Sequence, residues 1–229
     1  RMVNILNDAR LAGLVDWDAI EDRTRNVQHV ATWSDPASIM ESCVYSYKND
    51  KWLNQEYHVE VWIEKEALTG VISQICKQLE VPYFACRGYV SQSEMYHSAQ
   101  RLAGLNKPVI VLHLGDHDPS GIDMTRDNVE RLLMLSSGAD ITVKRIALNM
   151  NQIKKYSPPP NPTKLTDSRA APYLEEFGSS SWELDALSPT VIKNLIKKET
   201  AKYLDSDLWA EEFEYQEEGR SDLQEAYDK

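Results

Sequence analysis

The stretch that decides the fold is VIVLHL, Val109 to Leu114, running directly into GDHDPSGID, Gly115 to Asp123. Six apolar-dominated residues in a row predict a central parallel strand covered on both faces. Asp118-Pro119 then predicts a helix start, because Asp is a favoured cap and Pro is tolerated in the first turn. That helix extends to about Leu135, with Ile122, Val129, Leu132 and Leu133 inward. Working outward, His58 to Ile63 alternates, placing Val59, Val61 and Ile63 on one strand face. Lys65 to Leu79 has helical spacing at Leu68, Val71, Ile72, Ile75 and Leu79. Tyr83 to Arg87 is a short strand, Ser91 or Ser93 caps a helix to Leu102, and Ile141 to Leu148 is a further strand. This βαβαβαβ order predicts an α/β fold, a mostly parallel sheet flanked by helices.

The flanks are predicted to be helical. Asn4 to Leu14 reads as helix, and Ser34-Asp35-Pro36 reads as the start of another. Residues 1–56 are thus a helical N-terminal segment, and 57–150 the α/β domain. Over 151–204, the run SPPPNPT, Ser157 to Thr163, is an extended connector, followed by a Ser-rich turn at Ser179 to Ser181 and a helix from Pro189 to Leu204. Residues 205–229 are an acidic tail.

Composition narrows the function classes. The chain has 229 residues, 42% of them hydrophobic, enough for one sizeable core with a small appendage. There is no long apolar run and no basic-then-apolar leader, so neither a membrane span nor a secretory signal is expected. Cys43, Cys76 and Cys86 form no CxxC pair, and reduced thiols in a cytoplasmic protein are the simplest reading. The first residue is Arg1, from which an upstream domain is expected. A net charge of −11 argues against general nucleic-acid binding, but the excess is local. From Asp205 to Lys229 there are 10 acids and 2 bases. From Lys144 to Arg169 there are 6 bases and one acid, a stretch suited either to a phosphate backbone or to solvent.

In an open α/β sheet, ligands sit beyond the carboxyl ends of the strands. Glu64 ends the first strand, and Asp116 and Asp118 lie just past the third. Convergent carboxylates repel unless a cation joins them, and oxygen-only ligands suit Mg²⁺, with Mn²⁺ as substitute. Gly115 and Gly121 permit close backbone approach. The alternative is that Asp118 is only a helix cap and Asp116 a turn residue. Lys65 and Arg87 fall on the same edge, as phosphate contacts or as surface and ion-pair residues. His117, between the two aspartates, is either an acid–base group or an exposed turn residue, whereas His113 is expected to be a satisfied core histidine.

Glu64-Lys65-Glu66-Ala67 at a strand end, followed by GDHDPSGID, resembles the Toprim domain. The likeness is to the A subunit of type IIB (type VI) topoisomerases and the related meiotic double-strand-break proteins, and it covers about Tyr57 to Leu148. It implies a Toprim fold that binds Mg²⁺ through Glu64, Asp116 and Asp118, with Asp123 assisting. It also implies DNA (or RNA) as substrate and a homodimer. In that family the nucleophile is a tyrosine on a preceding winged-helix domain, for which the first 56 residues are too few. Tyr45 and Tyr47 sit in a helical pattern and read as packing residues. Two functions are expected from this: metal-dependent strand cleavage, or a non-cutting metal-binding module that dimerises or docks DNA. The run Trp182 to Leu187 (WELDAL) resembles a late acidic motif of the family and reads as structural.

Overall fold

The computed structural model describes residues 2–16 and 30–228. They fall into two compact units, one within Arg1–Ser46 and Leu223–Lys229, the other Tyr47–Asp222. The helical N-terminal segment expected over 1–56 includes residues 17–29, which lie outside the described part. Within it, helix α1 spans Met2–Leu11 and α2 spans Pro36–Ser46. The start of α2 is the expected one, since the Asp35 carboxylate accepts the Ser38 N–H at 2.8 Å.

The larger unit holds a four-stranded, all-parallel sheet. Its strands are β1 (His58–Ile63), β2 (Tyr83–Ala85), β3 (Val109–Leu114) and β4 (Ile141–Ala147), in the spatial order β2-β1-β3-β4. The two central strands pair in register from His58↔Val109 to Ile63↔Leu114. All six residues of β3 are buried, as its unbroken apolar run requires.

Alternation divides the core between the two faces of the sheet. Val59, Val61, Ile63, Ile110, Leu112 and Leu114 pack with α3 (Thr69–Gln78), α6 (Met150–Tyr156) and α8 (Pro189–Thr200). Trp62, Val109 and Val111 pack on the opposite side with α4 (Gln92–Ala103) and α5 (Pro119–Leu135). The caps follow sequence chemistry. Ser91, Asp118 and Ser188 each accept an N–H of the first turn, in α4, α5 and α8 respectively. The helix expected from Lys65 begins instead as a 3₁₀ turn, Glu66–Leu68, before α3.

The C-terminal third is richer than expected. The connector pairs Asn161–Pro162 (β5) antiparallel with Ser180–Ser181 (β6). Two short helices flank it, α6 and α7 (Ala170–Phe177). The start of α6 is fixed by Gln152, whose side chain accepts the Asn149 N–H at 3.0 Å. The residues expected as an acidic tail form a long helix, α9 (Ser206–Tyr227). It is tied to the rest of this unit by side-chain hydrogen bonds: Asn49 donates to Glu212, and buried Lys51 donates to the Gln216 amide oxygen at 3.0 Å. Composition alone registered the charge and overlooked this pairing. Among the described residues no helix is long and apolar enough to cross a membrane.

Leu112 is fully buried at the centre of the sheet. Leu112→Ala is expected to lower stability by about 3 kcal/mol, read as a fall in the urea midpoint at unchanged slope.

Candidate functional site

Because β1 and β3 end in register, the residues that follow them leave the sheet side by side. The Glu64 N–H donates to Leu114 O at 2.9 Å, and the Glu64 side chain turns across to accept the Asp116 N–H at 2.8 Å. Gly115 makes that turn possible, since a Cβ there would stand 2.8 Å from Glu64 Oε2. Gly121 is equally constrained, because a Cβ would fall 2.2 Å from the Asp116 carbonyl oxygen. Both glycines are needed for close approach, as their position in the motif implies. Asp118 is extended and caps α5, its Oδ1 accepting the Gly121 N–H at 2.7 Å. The cap occupies one oxygen of that carboxylate.

The loop is pinned from two further directions. Residues 116–117 run antiparallel to the Trp182–Leu184 segment, with His117 N–H to Trp182 O at 2.8 Å and the reciprocal bond at 2.9 Å. The Leu184 N–H then donates to Asp116 Oδ1 at 2.7 Å. Beneath the loop, the half-buried Arg145 of β4 donates to the carbonyls of Gly115, Asp116, Gly121 and Leu148, and to the Thr125 hydroxyl. Among the described residues no carboxylate is in direct contact with this guanidinium, so its charge acts on Glu64, Asp116 and Asp118 through space.

The electrostatics follow from this crowding. Burial, followed by the Glu64 charge, pushes the Asp116 carboxyl up to about 7, against the Leu184 N–H and Lys65. Burial also raises Glu64, helped by Asp118 and opposed by the Asp116 amide and Arg145. Arg145 is pushed down to about 10 by burial, and the three acids limit the fall. Lys65 projects into the cluster, 3.1 Å from Asp116 Oδ2, in contact with Glu183 and 3.4 Å from Asp185 Oδ1. Burial works against its charge, yet Glu183 and Asp116 hold it above its ordinary range. An ammonium thus lies against Asp116 where a second cation would be drawn.

The structure therefore gathers Glu64, Asp116, Asp118 and Lys65, and it adds Arg145, Glu183 and Asp185. It leaves two of the expected residues elsewhere. Arg87 is largely exposed and pairs with Glu66 at 2.5 Å. Asp123 turns to Tyr89, to Arg126 at 2.7 Å and to Arg169 at 3.7 Å. It lies one helical turn beyond the cap, where the cationic side chains of α5 and its neighbour claim it.

The histidines also differ from expectation. His117 is buried, shares a 2.8 Å hydrogen bond with the Tyr173 hydroxyl and stacks edgewise on Tyr173, Phe177 and Trp182. Burial and Arg145 push it down to about 4, so it is neutral at pH 7. The exposed-turn reading fails because α7 and the Trp182 strand cover it. His113 is a core residue, bonded through Nδ1 to Thr125 at 2.9 Å, but its buried Nε2 has no partner.

Sequence reasoning overlooked Arg145, which it counted only within a basic stretch. An arginine between Val143 and Ile146 in a strand was the available signal, since such a position demands buried acceptors. Glu183 was assigned a structural role, although the WELDAL run already placed two acids together. The donor set suits a hard divalent ion: oxygen ligands only, in a largely buried place where burial raises the proton affinity of Glu64 and Asp116. Among the described residues, no three His, Cys, Asp or Glu side chains are gathered at metal-binding distance. No protein-family model matches the chain, and no curated protein matches it either.

The Asp116 proton gives a signed prediction. Its carboxyl ordinarily titrates near 3.8 and holds its proton more tightly when folded. The stability linked to that proton is full below pH 3.8 and is lost as the pH rises towards 7. Asp116→Asn keeps the acceptor for Leu184 and removes the charge. In EDTA it is expected to raise stability at pH 8 by about 1 kcal/mol, a Tm gain of roughly 2–4 °C. Thermal unfolding at pH 4, 6 and 8 should show that gain vanishing at pH 4; a gain confined to acid pH would contradict the assigned burial.

Proposed function

We propose that this chain is a Toprim-type module that cleaves nucleic-acid strands with Mg²⁺ or Mn²⁺. The observation carrying the reading is the meeting of Glu64 and Asp116 across Gly115, from the carboxyl ends of neighbouring central strands. Sheet folds place ligands at this edge. A scaffold has no need of convergent carboxylates whose affinity for protons is raised by burial and by a neighbouring acid.

Glu64, Asp116 and the free oxygen of Asp118 would hold the metal, which when bound supplies charge neutralisation at phosphoryl oxygens. The protein's own groups do the rest. Arg145 fixes the loop geometry by tying the carbonyls on either side of Asp116 to β4. Lys65, 3.1 Å from Asp116 and held by Glu183, would stand beside a metal on these carboxylates as a donor to phosphate. Glu183 and Asp185 keep Lys65 close. Tyr173 is the tyrosine tied to the loop, but its hydroxyl is engaged with His117 and its pKa is raised, first by burial and then by Asp118. It is therefore a poor nucleophile, and water is the better candidate, unless a tyrosine arrives from another domain. Arg87 and Asp123 have no part in this arrangement.

The second reading is a non-cutting, dimerising or DNA-docking module. The contact of Lys65 with Asp116 favours it, because an ammonium already neutralises the carboxylate. Nicking of supercoiled plasmid separates the two. With Mg²⁺ or Mn²⁺ the wild-type chain should nick, and Glu64→Ala and Asp116→Ala should each reduce nicking to background while retaining a cooperative thermal transition. Equal nicking by both variants would sink the metal-site assignment, and an inert wild type would favour the docking module.

A further inference from the structure

The chain is acidic overall, yet part of its surface is not. β4 and α6 contribute Lys144, Lys154 and Lys155 with no acid among their residues, and α8, which packs against β4, ends in Lys197 and Lys198. Lys144, Lys155 and Lys198 come from three different elements and line one cavity of about 260 Å³. Asn149, Asn151 and Tyr156 add neutral hydrogen-bonding groups to its wall.

The one acid in that wall, Glu199, is already neutralised. Its carboxylate lies 2.7 Å from Lys144 and 2.7 Å from Lys202. Lys155 sits over the Tyr156 ring, 5.0 Å from its centre, and pairs with no acid among the described residues. Lys198 is exposed and likewise unpaired. The cavity therefore carries uncompensated positive charge.

Its position links it to the carboxylate cluster. Arg145 lines the cavity, and its guanidinium also donates to the carbonyls of Gly115 and Asp116. Leu148, at the end of β4, donates its N–H to Gly115 O at 2.8 Å. Asn149 in the cavity wall follows Leu148 directly, so the cavity begins beside the strand end that is bonded to the Asp116 loop.

We propose that this cavity and its lysines seat the phosphate backbone of the nucleic acid whose strand reaches Glu64 and Asp116. The identity of the anion rests on the function proposed above; the presence of an anion site rests on the lysines alone. Concavity favours a polyanion strand over a bilayer, which presents a plane. Three elements converging on one hollow also differ from a charge run on a solvated helix face.

The test is fluorescence anisotropy of a labelled duplex oligonucleotide with the whole chain in EDTA, where no metal-dependent chemistry runs. Salt is varied from about 50 to 200 mM, because each phosphate contact contributes about −0.9 to the slope of log affinity against log salt. Lys155→Gln/Lys198→Gln should make that slope shallower by about two and weaken binding uniformly across sequences. Lys48→Gln/Lys77→Gln, two exposed lysines elsewhere, should leave it unchanged. An equal loss in both double variants, or none in the first, would overturn the proposal. So would lysine-dependent capture by phosphatidylserine vesicles without DNA binding. Lysine-dependent DNA binding by a chain that never cuts would sustain this site while refuting the metal-site reading.

Discussion

The fold converges on an electrostatic problem: Glu64 and Asp116 are brought together in a place that water barely reaches. Two like charges about 4 Å apart at an effective dielectric near 20 repel by about 4 kcal/mol. That is a large share of the roughly 5–15 kcal/mol by which a domain is stable. The protein answers it with a retained proton on Asp116, with the guanidinium of Arg145 below the loop and with the ammonium of Lys65 above it. Each answer is partial, because Arg145 is spent on carbonyls and Lys65 is shared with Glu183 and Asp185. Carboxylates perturbed by burial and by one another's charge in this way are commonest at functional sites.

How much of this was legible in the sequence depended on the range of the forces involved. The sheet was readable because β3 is apolar but for His113 and β1 alternates, and both patterns reflect burial of whole faces. The convergence of Glu64 with Asp116 was readable because strand ends in register leave a sheet together. Local chemistry also announced the caps at Asp35, Ser91 and Asp118. What stayed hidden was long-range. Asp123 carries the same carboxylate as its neighbours, and only the folded arrangement of Tyr89, Arg126 and Arg169 directs it away from the cluster. His117 sits in a turn whose exposure was decided by α7 and Trp182, more than fifty residues later. The acidic C-terminal residues form α9, which Asn49 and Lys51 hold through Glu212 and Gln216, and no local window contains those contacts.

Net charge proved a poor guide to partner chemistry because it sums over surfaces that do different work. The acids of α9 lie along a single helix, and those at the strand ends meet one another. The lysines of β4, α6 and α8 are left facing a hollow with a single neutralised acid. A polyanion approaching this chain would sense the local field within a Debye length of about 8 Å at physiological salt, not the total of −11.

The zipper between His117 and Trp182 has a consequence for the order of assembly. The amide that holds Asp116 Oδ1 belongs to a residue 68 positions further along. All four sheet strands precede it and pair through closer contacts, and such short-range pairings generally form before long loops close. A nascent chain therefore completes its scaffold before it completes its reactive loop. The carboxylate cluster therefore stays incomplete until synthesis has passed the WELDAL run, so the sheet can be folded before the loop on its edge takes its final form.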